Sequence, residues 1–320
     1  MVVRHSFSSN GGINSMNKWI KSHIFLVFLL PGIVLYGLFM VYPLLSALGY
    51  SLFSWDGLIR EGFVGFENFR KVLTEIPYKE RFWNALAHNV KFFIITFVLQ
   101  TTVGLYIAVK LTQKRPGMGF FQAIYFLPYT LSMVVVGFLW LLLLNPNWGA
   151  FNQFLKLIGL EELIQPWLGQ ESTALITIIL VNFWRWLGFP VLVFKAGLQS
   201  IPEELNEAAI IDGANSWQLF RYITLPLLKP TIAMVTIITF IWDFNAFDLV
   251  FVMQGSSGNP HYATDLLATF FYRTAFGDPT TGAAGGDTGI ASAIAVLMLI
   301  IIGIASYFGI KIMQRSEVEY

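Results

Sequence analysis

From Ile24 to Phe53 there is no acidic or strongly basic side chain. About 20 predominantly apolar residues cross the hydrocarbon core of a bilayer, so this run reads as a membrane span. Five further runs read the same way, at about 89–111, 119–144, 172–198, 225–253 and 290–310. The expectation is an all-α membrane protein with six transmembrane helices. The charge content agrees, because 12% of the residues are charged against roughly 25% in a soluble domain. Pro31 and Pro43 predict kinks in the first span, where neighbouring groups must re-satisfy the freed carbonyls.

Residues 1–22 read as a polar cytoplasmic tail, with Arg4, Lys18 and Lys21. Residues 23–315 form a single membrane domain, and 316–320 a second tail. The first apolar run is far longer than the roughly 7–15 residues of a signal-peptide core, so it stays in the protein. Residues 54–84 are a long charged loop with a short helix from Phe66 to Leu73, and a second loop at 150–171 holds a short helix around Phe151–Ile158. Two glycine-rich patches, Gly255–Pro260 and Gly282–Gly289, are expected to be flexible, with an amphipathic helix at Thr264–Phe276 between them. An even number of spans puts both termini on one side. Lys110, Lys114, Arg115, Lys195, Arg221, Lys229, Lys311 and Arg315 join the tail on that side and make it cytoplasmic by the basic-residue bias.

Several function classes fall away. The net charge is +1, which argues against a nucleic-acid partner, and there is no cysteine for a disulfide or thiolate site. His5, His23, His88 and His261 are scattered without metal-ligand spacing. No Gly-x-x-x-x-Gly-Lys-Ser/Thr loop is present, so the chain does not cradle ATP by that device.

Polar groups inside the spans are the candidates for a transport path. An ionisable side chain at that depth costs at least about 2.5–3.5 kcal/mol, so it faces the bundle interior or water. Arg185 and Asp243 meet this description and are expected to pair or share a polar network. Asn245 and Asp248 lie three apart, on one face of the fifth span. With the aromatic neighbours Trp242, Phe244 and Phe247 they suit a sugar, offering amide and carboxylate for hydroxyls and rings for C–H faces; they suit helix–helix hydrogen bonding equally. Asn182 and Gln100 are weaker members of the same set.

The longest polar, helix-prone insert between apolar runs is Pro202 to Pro226. Pro202 can take the first helical position, and Glu203, Glu204 and Glu207 suit the positive end of the dipole. Ala208 and Ala209 would form a small exposed stripe, after which Asp212-Gly213 ends the helix, Gly213 at a positive φ. Asn215 or Ser216 caps a second short helix carrying Trp217 and Phe220. Glu207-Ala208-Ala209, three residues, Gly213, nine residues, then Ile223-x-Leu225-Pro226 resembles the coupling loop of permease subunits of binding-protein-dependent ABC importers. Further motifs in family order, Tyr42-Pro43-Leu44-Leu45, Gly65–Phe69, Phe126-Leu127-Pro128 and Gly289–Ala293, are similar to the carbohydrate-type branch.

The resemblance implies the type I importer transmembrane fold with a cytoplasmic coupling helix, in a bacterial inner membrane. It implies a second homologous permease, a pair of ATPase subunits that bind ATP and magnesium, and an external solute-binding protein. Glu207, Ala208, Ala209, Asp212, Gly213, Leu225 and Pro226 would carry the coupling. The chain itself would bind no cofactor and hold no catalytic residue. The alternative is an ion-gradient-driven secondary transporter using Asp243 and Asp248, although no inverted repeat is visible.

Overall fold

The structure is a computed structural model describing residues 24–113, 116–277 and 286–314. The expectations for the 1–22 and 316–320 tails, for Lys114, Arg115 and Arg315, and for Gly282–Gly285 lie outside the described residues. The chain divides into two compact units, 1–50 and 51–320.

The first unit is one apolar rod. Helix α1 (Ile24–Tyr36) passes through a π-turn at Gly37–Val41 into α2 (Tyr42–Tyr50). The π-turn precedes Pro43, which has no N–H to donate, and the Tyr42 N–H reaches back to the Gly37 carbonyl. Local π geometry of this kind re-satisfies a proline-containing span.

The second unit opens with an antiparallel hairpin, β1 (Phe53–Asp56) and β2 (Ile59–Phe63), which periodicity did not reveal in the charged first loop. Asn68 Nδ2 donates to the Ser51 and Phe53 carbonyls at 2.9 and 2.8 Å. Helix α3 (Glu67–Thr74) sits where a short helix was expected. Helix α4 (Tyr78–Leu111) starts eleven residues before the predicted span. At about 1.5 Å per residue it is longer than the roughly 30 Å hydrocarbon core, so its first turns extend the second span beyond it. The apolar-run criterion missed them because Lys79, Glu80 and Arg81 interrupt the hydropathy.

The third, fourth and fifth spans are not single straight helices. Helices α5 (Met118–Thr130) and α6 (Met133–Leu143) bend by 97°, and α8 (Glu171–Trp186) and α9 (Gly188–Gln199) by 46°. The short α7 (Ala150–Leu157) lies between these pairs, as expected. After α10 (Glu203–Ile211) and α11 (Ser216–Leu219), the segment 216–227 meets α12 (Lys229–Phe244) at 61°. The predicted fifth span is broken again at 245–247, before α13 (Asp248–Gln254). The remaining helices are α14 (Leu267–Phe276), which starts three residues later than expected, and α15 (Thr288–Gln314). Among the described residues three helices, 28–50, 78–111 and 288–314, are long and apolar enough to cross a membrane alone, and there are six spans when each of the three bent pairs is taken as one. Pro128, Pro190, Pro226 and Pro230 stand within a few residues of these bends, where a missing N–H and a fixed φ interrupt the ladder. At the α8–α9 bend, a Cβ on Gly188 would lie 2.9 Å from the Tyr125 carbonyl oxygen, so only glycine lets α5 come this close.

Helix α4 is the axis of the unit. Its Phe92 packs with Val136, Ile178 and Val250 from α6, α8 and α13. Phe82 and Ala85 pack with Phe270 and Ile294, and Leu105 and Ala108 with Phe194 and Val235.

The Gly255–Pro260 patch is a correction. Ser256, Ser257 and Gly258 are buried. Arg273 Nη1 donates to the Ser256 carbonyl at 2.7 Å, and Nη2 to Asp265 Oδ2 at 2.6 Å, with both residues buried. The Arg81 guanidinium lies 3.1 Å from the Tyr262 ring centroid. Glycine, serine and proline marked an absence of regular structure there, not mobility. Breaking a buried ion pair on one side leaves an uncompensated charge. Asp265→Asn is therefore expected to cost about 3–5 kcal/mol, and Asp265→Leu with Arg273→Met much less. Thermal unfolding in detergent measures both, and equal losses would count against the ion pair as the fastener.

Candidate functional site

The break at 245–247 builds the first candidate site. Helix α12 ends at Asn245, whose backbone N–H at 3.2 Å and side-chain Nδ2 at 2.7 Å both donate to the Ile241 carbonyl. Asn245 and Asp248 therefore do not share a helix face, as the sequence suggested, but flank a break. The chain there borders a cavity of about 180 Å³, whose wall includes Asn182, Trp186, Trp242, Asp243, Asn245 and Asp248. Five of the seven candidates for the substrate path are thus brought together.

Arg185 and Gln100 stand apart. Arg185 Nε donates to the Leu131 carbonyl at 2.9 Å, in the α5–α6 break, and its guanidinium lies 5.2 and 4.8 Å from the Tyr129 and Trp186 rings. The expected Arg185–Asp243 pairing is not formed, because the arginine is taken up by a backbone acceptor that the bend exposes. Gln100 Oε1 accepts from the Thr239 hydroxyl at 3.1 Å.

Asp243 has other partners. Its Oδ1 accepts from Asn182 Nδ2 at 3.2 Å, and its backbone carbonyl from Asn89 Nδ2 at 3.0 Å. Asn89 Oδ1 also accepts from the Leu267 N–H at 2.8 Å, so one buried amide ties α4, α12 and α14 together. The other Asp243 oxygen and the Thr96 hydroxyl beside it are buried without a well-formed partner.

Trp186 and Trp242 face each other with centroids 4.2 Å apart, and Phe189 joins at 4.9 Å from Trp242. Sequence reading missed Asn89, Thr96 and Trp186. Asn89, at the very start of a predicted span, carried the only available signal, a polar amide at a depth where it must be paired.

The second candidate site is the 202–226 loop. Pro202 precedes α10 as its cap, with ψ 132°, one position before the expected one. The helix ends in two bonds: Gly213 N–H donates to the Ile210 carbonyl at 3.0 Å, and Ala214 N–H to the Ala209 carbonyl at 2.9 Å. Gly213 has φ 83°, the left-handed conformation this ending requires. The same closure covers Ala209, which is buried, so Ala208 alone of the pair is exposed. Asn215 and Gln218 then form a reciprocal capping box at 2.8 and 2.9 Å. Leu225 packs with Phe194 and Leu228, and Pro226 lies in the short turn that leads to α12. Glu207 and Asp212 are exposed, and so are Ile210, Ile211 (85%), Trp217 (68%) and Tyr222. A shallow depression of about 280 Å³ lies beside Asp212, Gly213, Gln218 and Tyr222. The loop is stiff, and part of its apolar surface is uncovered.

Residues 100–317 match the family described as binding-protein-dependent transport system inner membrane component. The multiple sugar-binding transport system permease protein MsmF of Streptococcus mutans is 34% identical, over 91% of this chain and 95% of that protein. The trehalose/maltose transport system permease protein MalF of Thermococcus litoralis is 31% identical, over 92% and 94%. A chain from the crystal structure of a bacterial alginate ABC transporter, in complex with an alginate pentasaccharide-bound periplasmic protein, superposes with a TM-score of 0.76. It is 25% identical, with 93% of this chain and 96% of that one covered.

Asn182→Ala removes the one well-formed side-chain donor to the Asp243 carboxylate and is expected to cost about 1–3 kcal/mol. Asp243→Asn keeps the shape and exchanges a buried carboxyl for a neutral amide, so the midpoint of thermal unfolding in detergent is expected to hold or rise. The opposite order of the two midpoints would mean that the carboxyl stabilises the network.

Proposed function

The chain belongs to the family of binding-protein-dependent transport system inner membrane components, and on that premise we propose what it carries and how it is driven. It is an integral inner-membrane subunit of an ABC importer, and the ATPase is a separate subunit. Its solute is a carbohydrate or a related polyol. The observation that carries this reading is the cavity at the α12–α13 break, where Asn182, Asp243, Asn245 and Asp248 offer donors and acceptors beside the Trp186–Trp242 pair. Hydroxyls need the first set and the C–H faces of a pyranose suit the second. The sugar named for MsmF and for the trehalose/maltose permease supports the same class.

The working assembly is this chain, a second homologous permease, two ATPase subunits that bind ATP and magnesium, and an external solute-binding protein. Both termini and the 202–226 loop face the cytosol. An ATPase docks on the loop, covering Ile211, Trp217 and Tyr222 and pairing a basic side chain with Glu207. Closure of the ATPases then moves the loop as a solid piece. The cap, the capping box and the Gly213 turn suit that task, since a soft loop would absorb the displacement. Leu225 and Pro226 pass the displacement to α12, at whose far end the cavity lies. An ion-gradient-driven carrier would have no use for such a loop.

Gly213→Val forces a β-branched residue to a positive φ, and Ala208→Asp places a charge on the exposed stripe. In the reconstituted complex each is expected to reduce uptake more than tenfold, with ATP hydrolysis no longer stimulated by the loaded binding protein. Insertion into the membrane is expected to be unchanged. Uptake in step with hydrolysis in both variants would sink the coupling role. Asp243→Asn, which keeps the fold, is expected to lower sugar uptake about tenfold.

A further inference from the structure

Four aromatic rings run outward from the cavity wall along a face that packing leaves free. Phe247 lines the cavity. Its ring centroid lies 5.0 Å from Phe251 and 5.1 Å from Tyr272, Phe251 and Tyr272 are 5.2 Å apart, and Tyr272 and Phe276 are 4.9 Å apart. Exposure rises outward: Phe247, Phe251 and Tyr272 are half-buried, and Phe276 is 68% exposed.

These rings are not the core of their helices. Helix α13 packs through Leu249, Val250 and Met253, and α14 through Leu267, Phe270 and Arg273, all of them buried. The rings occupy the remaining faces. The platform beneath them is rigid, because the Asp265–Arg273 pair and the Arg81–Tyr262 stack hold the connecting segment. Trp242 and Trp186 line the same cavity. The basic-residue bias puts the α13–α14 segment on the external side.

We propose that Phe276, Tyr272, Phe251 and Phe247 form an aromatic entry track on which a ring sugar, released at the external face, passes into the Asp243 cavity. Sugar rings present apolar C–H faces that rest on aromatic surfaces at any rotation about the stack, so successive rings guide without trapping. Hydroxyl-binding groups become necessary only at the end, where Asn182, Asp243, Asn245 and Asp248 stand. This inference rests on the carbohydrate reading above and adds the route to it.

The test uses the full complex in proteoliposomes with saturating binding protein. Uptake of radiolabelled maltose, trehalose and lactose is recorded together with ATP hydrolysis, so that sugar moved per ATP is the readout. Tyr272→Leu and Phe276→Leu are combined, with Tyr272→Trp and Phe276→Tyr as conservative partners. The Leu pair is expected to lower sugar per ATP about three- to tenfold, with hydrolysis and assembly unchanged, and the aromatic pair to keep the wild-type ratio. An unchanged ratio in the Leu pair overturns the track while leaving the carbohydrate reading in place. A parallel fall in hydrolysis and assembly also overturns it, since the rings would then be contacts to another subunit. A wild-type complex that carries none of these sugars, and none of a wider panel of monosaccharides, oligosaccharides and polyols, fails the carbohydrate reading itself, before any variant is made.

Discussion

A backbone amide or carbonyl left unpaired in hydrocarbon costs several kcal/mol, and this chain interrupts its helices inside the predicted spans again and again. Each interruption is answered by a specific group. The bend between α5 and α6 exposes the Leu131 carbonyl, which Arg185 takes. At the end of α12 the Ile241 carbonyl takes both the backbone N–H and the side-chain amide of Asn245. The prolines at 43 and 226 follow π-turns, in which an N–H reaches the carbonyl five residues back. Polar side chains in these spans therefore do two jobs, and only those left over after the backbone is satisfied are free for a solute.

That division sorts the candidates. Arg185 and Gln100 have partners that use them structurally. One Asp243 oxygen is held by Asn182, and the other is buried beside the Thr96 hydroxyl. A helix that ran straight through 245–247 would give the cavity a continuous wall. The break instead turns Asn245, Phe247 and Asp248 onto its rim.

The 202–226 loop follows the same economy in water. Its helix ends are closed by its own groups, through the Gly213 turn and the Asn215–Gln218 box. Its apolar side chains are consequently not consumed by folding and stay on the surface. Ile210, Ile211, Trp217 and Tyr222 are left exposed on it.

The six apolar runs, the helix–Gly–helix loop, the left-handed Gly213 and the cap at Asn215 were legible in the residues. Each depends on composition, on spacing or on the local conformational freedom of one residue. The hairpin at 53–63, the three bends, the break at 245–247, the buried Ala209 and the separation of Arg185 from Asp243 were not. Hydropathy measures the cost of placing a segment in lipid and is indifferent to whether that segment is straight. Which carbonyl an arginine reaches, or which amide meets Asp243, depends on residues such as Leu131 and Asn182, each more than fifty positions away from its partner in sequence. Sequence alone thus determined that the chain is a membrane protein with a stiff polar insert. Tertiary packing alone decided which of its polar groups within the predicted spans meet one another and which line the cavity.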